Sequence, residues 1–160
     1  MEKDSTYRSE RLTYTGLSRE DAEDVVRWRS DPNNYRFFFN AAPITLEGHL
    51  AWFGRYLLDT TRYDFVIHDE SGRAIGTVGL SNIDADSCEV NYMIGEIEAR
   101  GKGYAKEAVR AFSRIALDEL GVSSVCARIV TGNEASAAVV EGVGFTEIER
   151  VYRLQATNEE

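Results

Sequence analysis

The chain has 160 residues and a formal net charge of −9, with 43% hydrophobic and 28% charged residues and only two prolines. That length supports one domain with a real core, and the balance excludes a disordered chain. The negative charge excludes a broad nucleic-acid-binding face, because phosphate contacts need a basic surface and none is evident.

In chain order, "RLTYTGL" (11–17) alternates weakly and reads as a first strand. Ser18 offers a helix cap with Asp21 three residues on, and Ala22, Val25, Val26 and Arg29 continue a helix that "DP" at 31–32 should stop. Residues 33–44 read as irregular and aromatic. Thr45 can cap a second helix carrying Leu46, His49, Leu50, Phe53 and Leu57 on one face. Three strands follow, over 63–69, 74–83 and 88–96, joined by "ESGR" and "DADS" in an antiparallel meander. A long helix is expected over 104–119, stopped by Gly121, with Ala105, Ala108, Val109, Phe112, Ile115 and Ala116 as its apolar stripe. A strand over 124–132, a short helix over 134–142 and a last extended stretch, "TEIERVYRL" (146–154), complete the chain. The expected architecture is α+β, a mixed and mostly antiparallel sheet with helices on its faces.

No repeat or linker divides the chain, so residues 1–160 read as one domain with its core over about 11–150. Cys88 and Cys126 are far apart and lack metal-type spacing, so both read as single buried thiols and no metal is expected. Asp84 and Asp86 read as a turn, since chelation needs more convergent ligands. With no N-terminal apolar stretch and no run near 18 apolar residues, the expectation is a cytoplasmic protein without a membrane partner.

The passage "EARGKGYAKEAVRAF" (98–112) carries the clearest chemical signal. Glycines just before a helix let its unpaired N–H groups approach an anion closely. The stretch fits neither the dinucleotide spacing nor a Walker loop, so composition alone leaves a phosphate cradle and a plain tight turn both open. Its spacing is more specific. Arg100-x-x-Gly103-x-Ala105 resembles the R/Q-x-x-G-x-G/A motif of the GNAT superfamily of N-acetyltransferases, and lies between a strand and the long helix as it does there. "NEASAAVVEGVGF" (133–145) resembles that superfamily's second block, and the resemblance runs from about 11 to 150.

The resemblance implies a single-domain GNAT fold and an acetyl-CoA site. The backbone of Gly101, Lys102, Gly103, Tyr104 and Ala105, with Arg100, would hold the pyrophosphate. The strand edge at Met93 and Ile94 would pair with the pantetheine arm, and Asn133 would contact the same arm or cap the helix that follows. The implied reaction is direct transfer of an acetyl group to a primary amine, which needs a base for the ammonium proton and a donor for the departing thiolate. Many members place a tyrosine seven residues after the block's asparagine as that donor; here it is Val140. Ser136 resembles the serine of the ribosomal-protein branch and is the candidate acid, against a first-turn serine bonded to backbone. Glu89 is the candidate base, against a surface hairpin carboxylate, and alternation puts Glu89, Asn91 and Met93 on one face.

For the acceptor, "VVRWRSDPNNYRFFFNAAPITLEGHLAWF" (25–53) resembles the amino-sugar-nucleotide acetyltransferases of pseudaminic acid biosynthesis, with Ser30 where that pattern has asparagine. Carried across, Arg29 and His49 would face nucleotide phosphates, Phe39 and Trp52 would wall the sugar or base, and Ser81 and Asn82 would line the same cleft. Each also has a structural reading, as a helix ion pair, an inter-helix histidine or core aromatics. An amino-sugar nucleotide is the first expectation. A ribosomal-protein N-terminus, a polyamine, or a CoA-binding module without catalysis are the alternatives. The net charge favours a polyamine, whereas Arg27, Arg29 and Arg36 form a local exception to it. Relatives usually fit two strands beyond the position of Phe145, so a short final strand, or one supplied by a second subunit in a homodimer, is expected.

Overall fold

The computed structural model describes residues 1–152. Six strands form one sheet in chain order: β1 (Thr6–Arg8), β2 (Thr13–Gly16), β3 (Tyr63–His68), β4 (Ala74–Ser81), β5 (Ser87–Ile94) and β6 (Ser124–Cys126). All neighbours pair antiparallel except β5 and β6, which run parallel. The helices are α1 (Ala22–Ser30), α2 (Pro32–Tyr35), α3 (Leu46–Tyr56), α4 (Tyr104–Ile115) and α5 (Glu134–Val143).

Both faces of the sheet are covered, which explains why β3 reads as a continuous apolar run rather than an alternating one. Phe65 and Ile67 point towards Ala108, Val109 and Phe112 of α4, in a core that also holds Leu12, Tyr14, Val78, Leu80 and Val90. Val66 points the other way, towards Val25 and Trp28 of α1 and Phe53 and Tyr56 of α3, with Met93 beside it. Strand β5 therefore divides as alternation requires: Val90 lies on the α4 side and Met93 on the α1–α3 side.

Several boundaries depart from the sequence reading, each for a local reason. Strand β1 was not expected; three residues pair with β2 and carry no pattern long enough to register. Helix α1 starts at Ala22, with Asp21 in the cap position three residues past the expected Ser18, because Ser18 donates its N–H and hydroxyl to the Asp21 carboxylate (2.8 and 2.7 Å) and closes a turn outside the helix. Thr45 does cap α3, accepting from the Gly48 N–H. Within the irregular 33–44 stretch, Asp31 caps the short α2, which Pro32 opens. The helix expected to 119 is α-helical only to Ile115 and ends as a π-turn, Ala116–Leu120. Asp84 forms the expected turn, accepting from the N–H groups of Asp86 and Ser87 at 2.8 Å each.

The strand expected over 124–132 is the correction that matters. Only Ser124–Cys126 pair with β5, from Ser87↔Ser124 to Glu89↔Cys126. From there the chain leaves the sheet, and β5 runs on to Ile94 with pairing only on its β4 edge. The final extended stretch forms no strand over 146–152, where Ile148, Val151 and Tyr152 are exposed; Arg153 and Leu154 lie outside the described residues. No helix among the described residues is long and apolar enough to cross a membrane.

Candidate active site

A cleft of about 820 Å³ opens where β5 and β6 part. Its floor is β5 from Val90 to Ile94, and one side is Ala127–Val130 with Asn133, Ala135, Ser136 and Val139. One end is Arg100, Gly101, Gly103, Tyr104, Ala105 and Lys106; the opposite side carries Arg29, Arg36, Phe37–Phe39, Arg62, Asp64 and Gly79.

At the first end, Gly101 (φ 72°) and Gly103 (φ 80°) both take the left-handed conformation, and Gly103 is the N-terminal cap residue of α4. The turn they make leaves the first N–H groups of a twelve-residue helix facing the cleft end. An anion seated there meets unpaired donors and the positive end of the helix dipole. Arg100 donates from Nε to the Ile94 carbonyl at 3.3 Å and remains exposed. Lys102 does not line the cleft; its carbonyl accepts from Arg11 at 2.9 Å. The residues present thus suit a pyrophosphate, and the bare β5 edge at Met93 and Ile94 suits an extended amide-bearing chain, as in strand addition.

Asn133 caps α5, accepting the Ser136 N–H at 3.2 Å, while its Nδ2 donates to Ser136 Oγ at 3.0 Å. Because the serine oxygen is the acceptor in that bond, its hydroxyl hydrogen stays available for donation into the cleft. Tyr92, also in the cleft, donates to the Ser136 carbonyl at 3.1 Å, and burial raises its phenol above the usual range. Val140 is buried against α4, so its position offers no acid.

Glu89 stands just outside the cleft lining. Its Oε2 accepts from Arg128 Nε at 2.9 Å and from Asn82 Nδ2 at 3.1 Å. Asn82 adopts φ 50°, a left-handed position that aims its carboxamide at Glu89. The carboxylate that does line the cleft is Asp64, held by Arg62 through two bonds at 2.6 and 3.0 Å. Strand register explains the meeting: Asp64 pairs with Gly79 and Gly79 with Asn91, so the three form one row across the sheet. Asn91 in turn donates to Ser81 Oγ at 2.7 Å.

Of the residues expected to hold the acceptor, Arg29 and Phe39 line the cleft, whereas His49, Trp52, Ser81 and Asn82 do not. His49 is 5% exposed and lies against Trp52, which stacks on Tyr56 at 5.2 Å. Burial, then the positive charge of Arg29, push the His49 imidazole below its ordinary pKa. Arg29 lies over the Phe38 ring (4.6 Å), and burial followed by the charge of Arg62 lowers its own pKa. Phe39 is 68% exposed, with the Arg128 guanidinium 5.1 Å from its ring. Four buried side-chain polar atoms among the described residues lack a hydrogen-bond partner; three of them, Arg29 Nε, Asn34 Oδ1 and His49 Nε2, belong to this side of the protein.

Sequence reasoning missed Asn34, Arg62, Asp64 and Arg128. The Arg62-x-Asp64 spacing at a strand start places both on one face and was a usable signal; Asn34 and Arg128 had none.

The profile of the acetyltransferase (GNAT) domain family matches residues 11–146. An uncharacterised protein of Methanocaldococcus jannaschii is 29% identical over 133 residues, covering 81% of this chain and 27% of that protein. The chain thus spans about a quarter of that relative's length. An uncharacterised N-acetyltransferase, p20, of Bacillus licheniformis is 26% identical over 148 residues, covering 88% of this chain and 82% of its own. Among solved structures, the spermidine N-acetyltransferase of Vibrio cholerae in complex with CoA and spermine shares the fold, with a TM-score of 0.81 at 21% identity over 86% of this chain and 82% of that one. With that family profile spanning most of its length, the chain belongs to the acetyltransferase (GNAT) domain family.

Proposed function

We propose that the cleft binds acetyl-CoA with its pyrophosphate at Arg100–Ala105 and its pantetheine arm along Met93 and Ile94, and that the acceptor is an anionic primary amine, best matched by an amino-sugar nucleotide. The observation that carries the acceptor assignment is the charge of the cleft. Away from the glycine turn the cleft is lined by Arg29, Arg36 and Arg62 on one side and Arg128 on the other, against the single carboxylate of Asp64 among the described lining residues. Two of these arginines are spent, Arg62 on Asp64 and Arg128 on Glu89. Arg29 and Arg36 are left without a carboxylate partner among the described ion pairs. A local field of this sign concentrates anions and repels polyamines, although the chain as a whole carries −9.

Bound acetyl-CoA supplies the activated acetyl group, and the neutral amine forms the C–N bond as the C–S bond breaks. Glu89 takes the ammonium proton through Oε1, since among the described residues Arg128 and Asn82 both bond to Oε2. Ser136 donates its hydroxyl hydrogen to the departing sulfur, its oxygen steadied by Asn133. Only the neutral amine is nucleophilic, so the ammonium proton has to leave before the C–N bond forms.

The test is a thiol-release screen of the purified chain with acetyl-CoA and three acceptors: a UDP-amino sugar, spermidine and a peptide with a free N-terminus. Turnover is expected to be fastest with the sugar nucleotide. Faster turnover with spermidine or the peptide overturns the acceptor assignment. Tight acetyl-CoA binding with no CoA released by any amine would identify a CoA-binding module without catalysis.

A further inference from the structure

Asn34 is 4% exposed and reaches the cleft wall from α2. Its Nδ2 donates to the carbonyls of Trp28 (2.9 Å) and Gly95 (3.3 Å), so both of its N–H bonds are committed. Those two partners also fix which way the carboxamide faces. Turning it over would set Oδ1 against two carbonyl oxygens, so Oδ1 must point away from them. In that orientation Oδ1 is buried and has no partner. A buried acceptor without a donor is costly and rare, so at a ligand cleft Oδ1 is available to an N–H or O–H that a ligand brings.

The neighbourhood says which donor. Gly95 directly follows Ile94, the last residue of the bare β5 edge. Trp28 is packed so closely on Gly95 that a side chain there would meet the indole at 2.2 Å, which locks α1 and its following turn to this strand end. Trp28 is further pinned through Nε1 to Glu96 at 2.8 Å. Asn34 is therefore held rigidly beside the edge along which the pantetheine arm runs, and that arm carries two secondary amide N–H groups. A carboxamide oxygen with no carboxylate beside it suits a neutral amide donor better than an ammonium.

Resting on the acetyl-CoA reading above, we infer that Asn34 Oδ1 accepts an amide N–H of the pantetheine arm, making Asn34 a positioning residue for the acetyl donor supplied by the acceptor side of the cleft. The contact ties the donor's arm to the same α1–α2 segment that carries Arg29 and Arg36, so seating the donor also orders the acceptor wall.

Calorimetric titration of the full chain with acetyl-CoA and with 3′,5′-ADP, the CoA fragment without the arm, tests this. Asn34→Ala is expected to weaken acetyl-CoA roughly five- to tenfold while 3′,5′-ADP binding stays within about twofold. Unchanged acetyl-CoA affinity overturns the contact, and so does equal weakening of both ligands, which would make Asn34 a fold-holding residue only. Because Asn34→Ala also removes two structural bonds, a second measurement uses the unaltered protein. The Asn34 side-chain amide resonances are expected to shift with acetyl-CoA and not with 3′,5′-ADP; identical responses overturn the contact. Failure of the unaltered chain to bind acetyl-CoA at all would instead overturn the acetyl-CoA reading itself.

Discussion

The end of the cleft proposed to hold the donor runs through one nearly continuous stretch, from Met93 on β5 to Ala105 in α4, and consists largely of backbone: a bare strand edge, two left-handed glycines and a helix N-terminus. The part proposed to hold the acceptor gathers side chains from α1, the 33–40 turn, β3 and the chain after β6, and its contacts are guanidinium–carboxylate pairs and cation–ring contacts. Backbone sites demand glycine at fixed spacing, so they leave a motif. A wall of side chains demands only that each arrive from its own element, so it leaves charges and aromatics without a period. The two sides also differ in satisfaction: the unpartnered Arg29 Nε, Asn34 Oδ1 and His49 Nε2 all fall on the acceptor half.

The largest effect is expected where the two sides are joined. Trp28 is 1% exposed, packs on Gly95 and bonds Glu96, which also holds Arg27 and Arg73. Trp28→Ala should cost about 3–5 kcal/mol in chemical denaturation and weaken both ligands together. If only one ligand suffers, the sides are not mechanically joined there.

A smaller and more selective pair of changes separates the sides. Arg100→Ala should raise the Kd for acetyl-CoA roughly tenfold and leave the acceptor KM unchanged, whereas Arg29→Ala should do the reverse. Crossed effects in steady-state kinetics would erase the division into donor and acceptor walls.

The smallest effect is in pH dependence. Burial and Arg29 depress the His49 pKa in the folded chain, so the unfolded chain binds more protons below about pH 6.5. The stability from neutral His49 is complete above that value and is lost as pH falls towards the depressed native pKa. His49→Gln should flatten this part of the stability–pH curve; an unchanged slope would show that His49 is not a buried neutral group.

Much of the fold was legible because both helix stripes and strands were. Ala108, Val109 and Phe112 sit at helical spacing and all face the sheet. Thr45 and Asn133 cap helices by side-chain chemistry that their residue types announce. The strand over 127–132 was misread because "ARIVTG" has the composition of a strand and only its partner's geometry decides whether it pairs. Glu89 and Arg29 were singled out, but that Arg128 would reach Glu89 and leave Arg29 without an acid was invisible, since Glu89 and Arg128 lie 39 residues apart.

The sequence by itself determined the end of the cleft proposed for the donor: the glycine spacing, the helix behind it and the asparagine block are local rules of backbone conformation and capping, readable without a partner. The tertiary structure decided the cleft itself and the arginine-rich part proposed for the acceptor. A strand pair that parts after three rungs, a row of Asp64, Gly79 and Asn91 across three strands, and an excess of arginine in an acidic chain exist only once distant segments share a surface. Charge and hydrogen-bond satisfaction are properties of neighbours in space, and the order of residues along the chain does not specify those neighbours.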